Sequence, residues 1–371
     1  MITKPIGLYI HVPFCIKKCN YCDFCSYPAN DVPSSVRTSY VESLTDELRG
    51  YKRAERISVD TVFFGGGTPS LLEPSEIEKI FEAINESFDV APTAEITIEM
   101  NPGTVSEKKL LTYKALGINR VSIGLQSIHE NELKKLGRIH LYDEFVSAYT
   151  LAEKCGFDNI SVDLMYGIPD QTVASFAETI DAIVALSPAH ISAYGLILEE
   201  GTPLCSMRDS LTLPSEDSEC DMYELACRKL TEAGYSHYEI SNYARQDRFS
   251  RHNLHYWRRE EYIGVGVAAH SYFEGVRFSN PSNLDDYLKG DERECETDTD
   301  AAFEYAMLAL RLAEGISLSE YEEKFSRSFL EDREDRIKRY IALGYMTRNE
   351  DRLAFTDRGM YVSNAILSDL L

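Results

Sequence analysis

Short β-branched runs alternate six times with amphipathic stretches through the first half of this chain, and few folds admit that rhythm. The strand-like runs fall at 7–12, 61–64, 95–99, 120–125, 159–164 and 190–196. Between them, apolar spacing predicts helices near 36–54, 74–88, 106–116, 141–155 and 173–186, each bounded by Pro, Gly, Ser or Asp. Strand and helix in alternation indicate βαβ units and a parallel sheet. Right-handed crossovers curl such a sheet into a full or partial barrel. Periodicity alone does not choose between a barrel and an open, doubly wound sheet. A chain of 371 residues has room for one large α/β domain and a smaller appendage.

Unusual residues gather where these runs end. The first leads into Cys15, Cys19 and Cys22, within HVPFCIKKCNYCDFCSY. The second ends in Gly65-Gly66-Gly67-Thr68-Pro69, and the third carries Glu99 followed by Asn101-Pro102. The fourth ends in Gln126-Ser127, and the fifth carries Asp163 ahead of Tyr166-Gly167. In parallel α/β sheets the ligand lies at the carboxyl ends of the strands, which puts one pocket beneath the cysteine loop.

Three cysteines are more informative than four. A cubane 4Fe-4S cluster held by Cys15, Cys19 and Cys22 keeps one iron open to a small molecule, whereas electron-carrying clusters are normally closed by four ligands. Open coordination points to chemistry, as it does for zinc. Cys25 follows at C-x-x-C spacing and makes a four-cysteine zinc site the rival, although no distant second pair completes a zinc ribbon. Cys25 is read as a non-ligand. Cys155, Cys205, Cys220, Cys227 and Cys295 are scattered and read as core fillers. Glycines after a strand let backbone groups approach a ligand closely, the plain alternative being a tight turn. Glu99 and Asp163 interrupt apolar strands, and a carboxylate there is costly unless paired.

The formal net charge of -23 repels a phosphate backbone and argues against nucleic acid as a general partner. No stretch reaches the roughly eighteen apolar residues of a membrane span. The opening MITKPIGLYIHVPFC has too short an apolar stretch for a signal peptide, so a cytoplasmic protein with reduced thiols is expected. Beyond residue 200 the rhythm fades. A helix near 215–234 precedes a strand-like segment at 236–243 and an irregular, Arg-rich and aromatic stretch at 245–272. Helical patterns at 301–313, 317–326 and 330–343 precede a hairpin turning at Asn349-Glu350-Asp351, as in a winged helix. The expected organisation is a barrel over 1–235, a connecting region over 236–298 and a helical, winged-helix-like domain over 299–371.

C-x3-C-x2-C with an aromatic, Tyr21, before the third cysteine resembles the radical S-adenosylmethionine superfamily. That resemblance implies a partial (β/α)6 barrel of TIM type, with the amino and carboxylate groups of S-adenosylmethionine on the open iron. An electron from the reduced cluster then breaks a sulfonium C–S bond and gives a deoxyadenosyl radical. The segments YIHVPFC, FFGGGTPSLL, ITIEMNPGT, RVSIGLQS, LGRIH, VDLMYGIPDQ and HYEISNYA narrow it, being similar to the oxygen-independent coproporphyrinogen III dehydrogenase (oxidase) family. By motif position that family's contacts to two S-adenosylmethionine molecules fall on Tyr9, Tyr21, Gly66 and Glu99 for the first. They fall on Gly67, Thr68, Gln126, Arg138 and Asp163 for the second.

Two departures separate the chain from the dehydrogenases. Phe24 stands where they carry the second cysteine of C-x-C, and only eight residues precede Tyr9 where they have an N-terminal arm. Both features resemble a sister branch, the haem chaperones called HemW, as does H-N-x-x-Y-W, here His252-Asn253-Leu254-His255-Tyr256-Trp257. The resemblance implies haem as a further ligand, with His252 as ligand or contact and His255, His270 or a thiol as competitors. Arg245, Arg248, Arg251, Arg258 and Arg259 form a basic island suited to the two haem propionates, or to docking on the protein's own acidic surface. The expectation is a haem chaperone that passes haem to recipient proteins, draws on an electron donor and meets membranes only through its recipients. The alternative is conversion of coproporphyrinogen III to protoporphyrinogen IX.

Overall fold

A computed structural model describes residues 4–296 and 300–371. Its centre is a parallel sheet of β1 (Ile6–Val12), β2 (Ile57–Gly66), β3 (Phe88–Met100), β4 (Arg120–Gln126), β5 (Ile160–Tyr166) and β6 (His190–Gly195), side by side in chain order. Helices α1 (Ser34–Gly50), α2 (Pro74–Ser87), α3 (Glu107–Ala115), α4 (Glu130–Leu136), α5 (Tyr142–Lys154) and α6 (Val173–Leu186) make the crossovers. Every residue of β4 is buried, as expected of a strand with helices on one face and a filled interior on the other. Helix starts are locally encoded. Ser106 accepts from the Lys109 amide at 3.3 Å to open α3, and Thr172 accepts from the Ser175 amide at 3.1 Å to open α6.

After α7 (Glu216–Glu232), strands β7 (Ser236–Glu239) and β8 (Asn242–Ala244) form an antiparallel hairpin whose inner strand pairs with β6. The expected single run at 236–243 is thus two strands.

The expectation of an irregular stretch at 245–272 is corrected. It holds α8 (Arg251–Trp257), β9 (Tyr262–Val265) and β10 (His270–Phe273). β9 lies parallel to β1, with Gly7 opposite Tyr262 and Ile10 opposite Val265, on the side of β1 away from β2. Four residues are too few to show a period, and the partner strand lies some 250 positions earlier in the chain. β11 (Val276–Ser279) and β12 (Glu294–Glu296) continue antiparallel from β10. The full order is β12-β11-β10-β9-β1-β2-β3-β4-β5-β6-β8-β7, a partial barrel with two free edges. The connecting region therefore supplies strands to both ends of one sheet.

The C-terminal part packs α9 (Ala301–Ala309), α10 (Leu318–Phe325) and α11 (Glu334–Ala342) with a small sheet. In that sheet β13 (Ile316–Ser317) and β14 (Met346–Arg348) flank β15 (Arg352–Phe355). Two short helices, α12 (Asp357–Tyr361) and α13 (Ser363–Leu370), close it. His237 of β7 meets the Asp357 carboxylate at 3.0 Å and ties this part to the barrel.

Gly264 tests the β9 assignment. A Cβ there collides with the His270 carbonyl oxygen, whereas a Cβ on Gly50 meets nothing within 4 Å. Gly264→Ala is expected to lower unfolding stability in urea by about 1–3 kcal/mol, with Gly50→Ala near neutral. Equal stabilities would remove the close β9–β10 approach.

Candidate functional site

The cysteine loop is built against backbone. The Tyr27 amide donates to the Pro13 carbonyl at 2.7 Å and the Ala29 amide to the Cys15 carbonyl at 2.6 Å, closing the loop at its base. Asn20 anchors its middle: its amide donates to the Leu136 carbonyl at 2.9 Å and its side chain to the Lys135 carbonyl at 3.1 Å, at the end of α4. The glycine run lies edge-on to this loop. The Gly67 amide donates to the Val12 carbonyl and the Thr68 amide to the Phe14 carbonyl, each at 2.8 Å. A Cβ on Gly67 would sit 2.8–2.9 Å from the backbone of Val12 and Phe14, so no larger residue fits.

A small cavity of about 140 Å³ brings together Cys15, Cys19 and Cys22 with Tyr21, Gly66, Gly67, Thr68, Glu99, Gln126, Arg138 and Asp163. Of the expected cofactor contacts, Tyr9 and His252 do not line it. One hydrogen-bond chain spans the cavity wall. Thr68 Oγ1 donates to Cys15 Sγ at 3.5 Å and accepts from Asn101 Nδ2 at 2.8 Å. Arg138 donates to Asn101 Oδ1 at 2.6 Å, to the Gly124 carbonyl at 2.9 Å and to Cys19 Sγ at 3.6 Å. Two of the three thiols are joined through Thr68, Asn101 and Arg138. The sequence reading noted Asn101 directly after β3, where ligand-facing residues gather, but gave it no role.

Several groups here lack partners. Gln126 Oε1 and Arg138 Nε are buried without a hydrogen bond, and Gln126 has a left-handed backbone, φ 69°. Burial, reinforced by nearby Asp163, pushes Glu99 up to about 8, although the Gly66 amide donates to it at 3.2 Å. Burial also raises Asp163, against hydrogen bonds from Ser122 at 3.1 and 3.2 Å. Unsatisfied buried donors and acceptors beside two strained carboxylates suit a polar, cationic ligand.

Below this cavity lies the barrel lumen, about 780 Å³, within the size range of ligand sites. Tyr9, Phe63, Leu164, Met165, Tyr194, Tyr256 and Tyr262 give it an apolar, aromatic wall. Tyr21, Phe24, Gly66, Glu99, Gln126 and Asp163 face both spaces. Tyr9 belongs to the lumen, its hydroxyl 3.1 Å from His11 Nδ1.

Only part of the H-N-x-x-Y-W segment reaches the lumen wall. His252 is 1% exposed and does not line the lumen. Its Nδ1 lies 2.8 Å from the Thr61 hydroxyl and its Nε2 2.7 Å from the Tyr256 hydroxyl. Both ring nitrogens are therefore engaged, and burial lowers the imidazole to about 3, keeping it neutral. Trp257 packs with Tyr238, Ala244, Leu254 and Leu312 instead of facing a ligand. On the helical turn between them, Asn253 and Tyr256 face the lumen, as does the exposed His270.

Of the two readings of the arginine island, the structure favours docking on the protein itself, because each member has an internal partner. Arg248 pairs with Asp158, Arg251 with Asp60, Arg258 with Glu314 and Arg259 with Glu304. Arg245 donates to the Ala233 carbonyl and stacks over Tyr235. Acids of the protein itself thus answer four of the five.

Fold and cavity together define a radical S-adenosylmethionine protein: the superfamily model matches residues 9–183, and a HemN C-terminal domain model matches 297–362. The solved coproporphyrinogen III oxidase of Escherichia coli superposes with a TM-score of 0.83 over 99% of this chain and 90% of that one, at 23% identity, which is a likeness of fold. The heme chaperone HemW of Lactococcus lactis is 33% identical over 100% of this chain and 98% of its own length. The HemW of Escherichia coli is 36% identical over 98% and 97%. The chain belongs to the HemW family.

Glu99 carries a pH prediction. Its carboxyl is raised in the ligand-free fold from 4.5 to about 8, so its contribution to stability falls as pH rises through that window. Glu99→Gln is expected to stabilise the ligand-free protein by about 1–3 kcal/mol at pH 8.5 and little at pH 5. Equal effects at both pH values in chemical denaturation would contradict the buried-carboxyl account.

Proposed function

We propose that this chain is a haem chaperone that carries a 4Fe-4S cluster and S-adenosylmethionine above a haem-holding lumen and delivers haem to recipient proteins. The observation that carries the reading is the meeting of three thiols with the partnerless groups of one cavity, set over an aromatic lumen, in a member of the HemW family.

The donor set suits the cluster: Cys15, Cys19 and Cys22 would hold it, and Cys25 lies outside the cavity wall that those three share. Held there and reduced by an external donor, the cluster would supply the electron for cleavage of a sulfonium C–S bond of S-adenosylmethionine. The protein's part is binding and orientation. Carbonyls at Gly66 and Gly67 and the Thr68 hydroxyl are acceptors for the methionine ammonium. Glu99, Gln126 and Asp163 offer partners to ribose hydroxyls and positive charge. Arg138 holds the wall and sets Cys19. An electron donor is part of the reading, with membrane contact made through haem recipients.

His252 enters as the haem ligand reached through Tyr256. His252 Nε2 is 2.7 Å from the hydroxyl of Tyr256, a residue of the lumen wall, so ligation of haem iron there requires this hydrogen bond to give way. Among the described residues no helix is long and apolar enough to cross a membrane.

The test is anaerobic. Cluster-loaded protein with reductant, S-adenosylmethionine and coproporphyrinogen III is expected to yield no vinyl product, while haem titration gives saturable binding. Protoporphyrinogen IX formation would overturn the chaperone reading in favour of the dehydrogenase. His252→Ala is expected to shift the Soret band and weaken haem binding about tenfold or more, with His270→Ala close to wild type. The reverse pattern would move the ligand to His270.

A further inference from the structure

Arg120 opens β4 at the floor of the lumen. It is 2% exposed and lines the cavity beside His190, Ser192, Tyr194 and Asn253. Its Nε is buried with no hydrogen-bond partner, and no ion pair within 4.0 Å engages the guanidinium among the described residues. A buried cation without a partner costs several kcal/mol, so an isolated one is poorly explained by the fold alone.

The groups around it are hydrogen-bonded elsewhere, although its charge reaches Asp163 and Glu99. His190 is held neutral, its nitrogens 2.8 Å from the Ser161 and Tyr238 hydroxyls. Asp163 is turned to Ser122, Glu99 to the Gly66 amide, and Glu239 to the Ser241 amide at 3.3 Å. The five arginines of the basic island are all spent on internal partners. Arg120 is therefore the cation of the lumen that is left for a ligand. It stands at the opposite end of β4 from Gln126, six residue steps or about 20 Å of strand away. It does not line the thiol cavity, so the methionine carboxylate of S-adenosylmethionine is not its partner.

We propose that Arg120 is the carboxylate receptor of the lumen, and that it binds a propionate of the tetrapyrrole held there. The inference rests on the reading of the lumen as the haem site. Guanidinium and carboxylate form parallel, charge-assisted hydrogen bonds, and the aromatic wall above receives the flat macrocycle. One edge of the ligand is then pinned to the floor while the opposite edge faces the thiol cavity.

The experiment compares haem with haem dimethyl ester, whose propionates are masked, on full-length, cluster-loaded protein. Wild type is expected to bind haem about tenfold to a hundredfold more tightly than the diester. Arg120→Met is expected to bring haem down to the diester level and leave the diester within about twofold. Arg120→Lys, which keeps charge but loses the fork, is expected to fall between. The change in the cluster's EPR signal on adding S-adenosylmethionine stays as in wild type. An unchanged haem affinity in Arg120→Met, or an equal loss for haem and diester, overturns the inference while leaving the haem reading intact. Wild type that binds neither tetrapyrrole removes both. If Arg120→Met fails to fold, a Lys variant indistinguishable from wild type on both ligands is the contradicting result.

Discussion

The hydrogen-bond chain from Cys15 through Thr68, Asn101 and Arg138 to Cys19 is the constraint on which the rest of the site depends. It links the cysteine loop to the ends of β2 and β3 and to the turn after α4. A thiolate cluster tolerates little error in ligand placement, and a loop alone is a poor holder. Here the loop is clamped by backbone bonds at its base and by Asn20 at α4. A charged side chain inside the wall then reaches the sulfurs. Gly67 makes this possible, because the chain after β2 passes against Val12 and Phe14 at a distance that no Cβ survives.

Most of the barrel was legible before any coordinates because its strands are buried on both faces. Burial on both faces writes continuous apolar, β-branched runs, and the turn chemistry at their ends writes the ligand residues. The cysteines, the glycine run, Glu99, Gln126 and Asp163 were readable in this way, Arg138 came from the family resemblance, and all lie around one cavity. What was missed was either short or held by non-local partners. β9 is four residues long and exists through its register with β1. Helix α4 is seven residues, ended by Gly137 in a left-handed conformation. The arginine island looked like a ligand surface because sequence displays charge density and hides the acids that answer it. The same blindness concealed Arg120, a lone cation in an apolar run whose meaning comes from the emptiness around it.

The two spaces divide the labour. The thiol cavity is small and polar, with carboxylates that resist ionisation until something positive arrives. The lumen is larger and aromatic, with one cation at its floor. Residues such as Tyr21, Glu99 and Asp163 face both, so a ligand in either space alters the electrostatics of the other. His252 and Tyr256 form a hydrogen-bonded pair at the edge of the lumen.

The claim underlying this account is that one iron of a cluster on Cys15, Cys19 and Cys22 keeps a free coordination position for S-adenosylmethionine. Mössbauer and EPR spectra of anaerobically loaded protein test it directly. Addition of S-adenosylmethionine should make one iron site distinct from the other three and shift the EPR signal of the reduced cluster. Spectra that do not respond, or a fourth thiolate from Cys25 on the cluster, would contradict it.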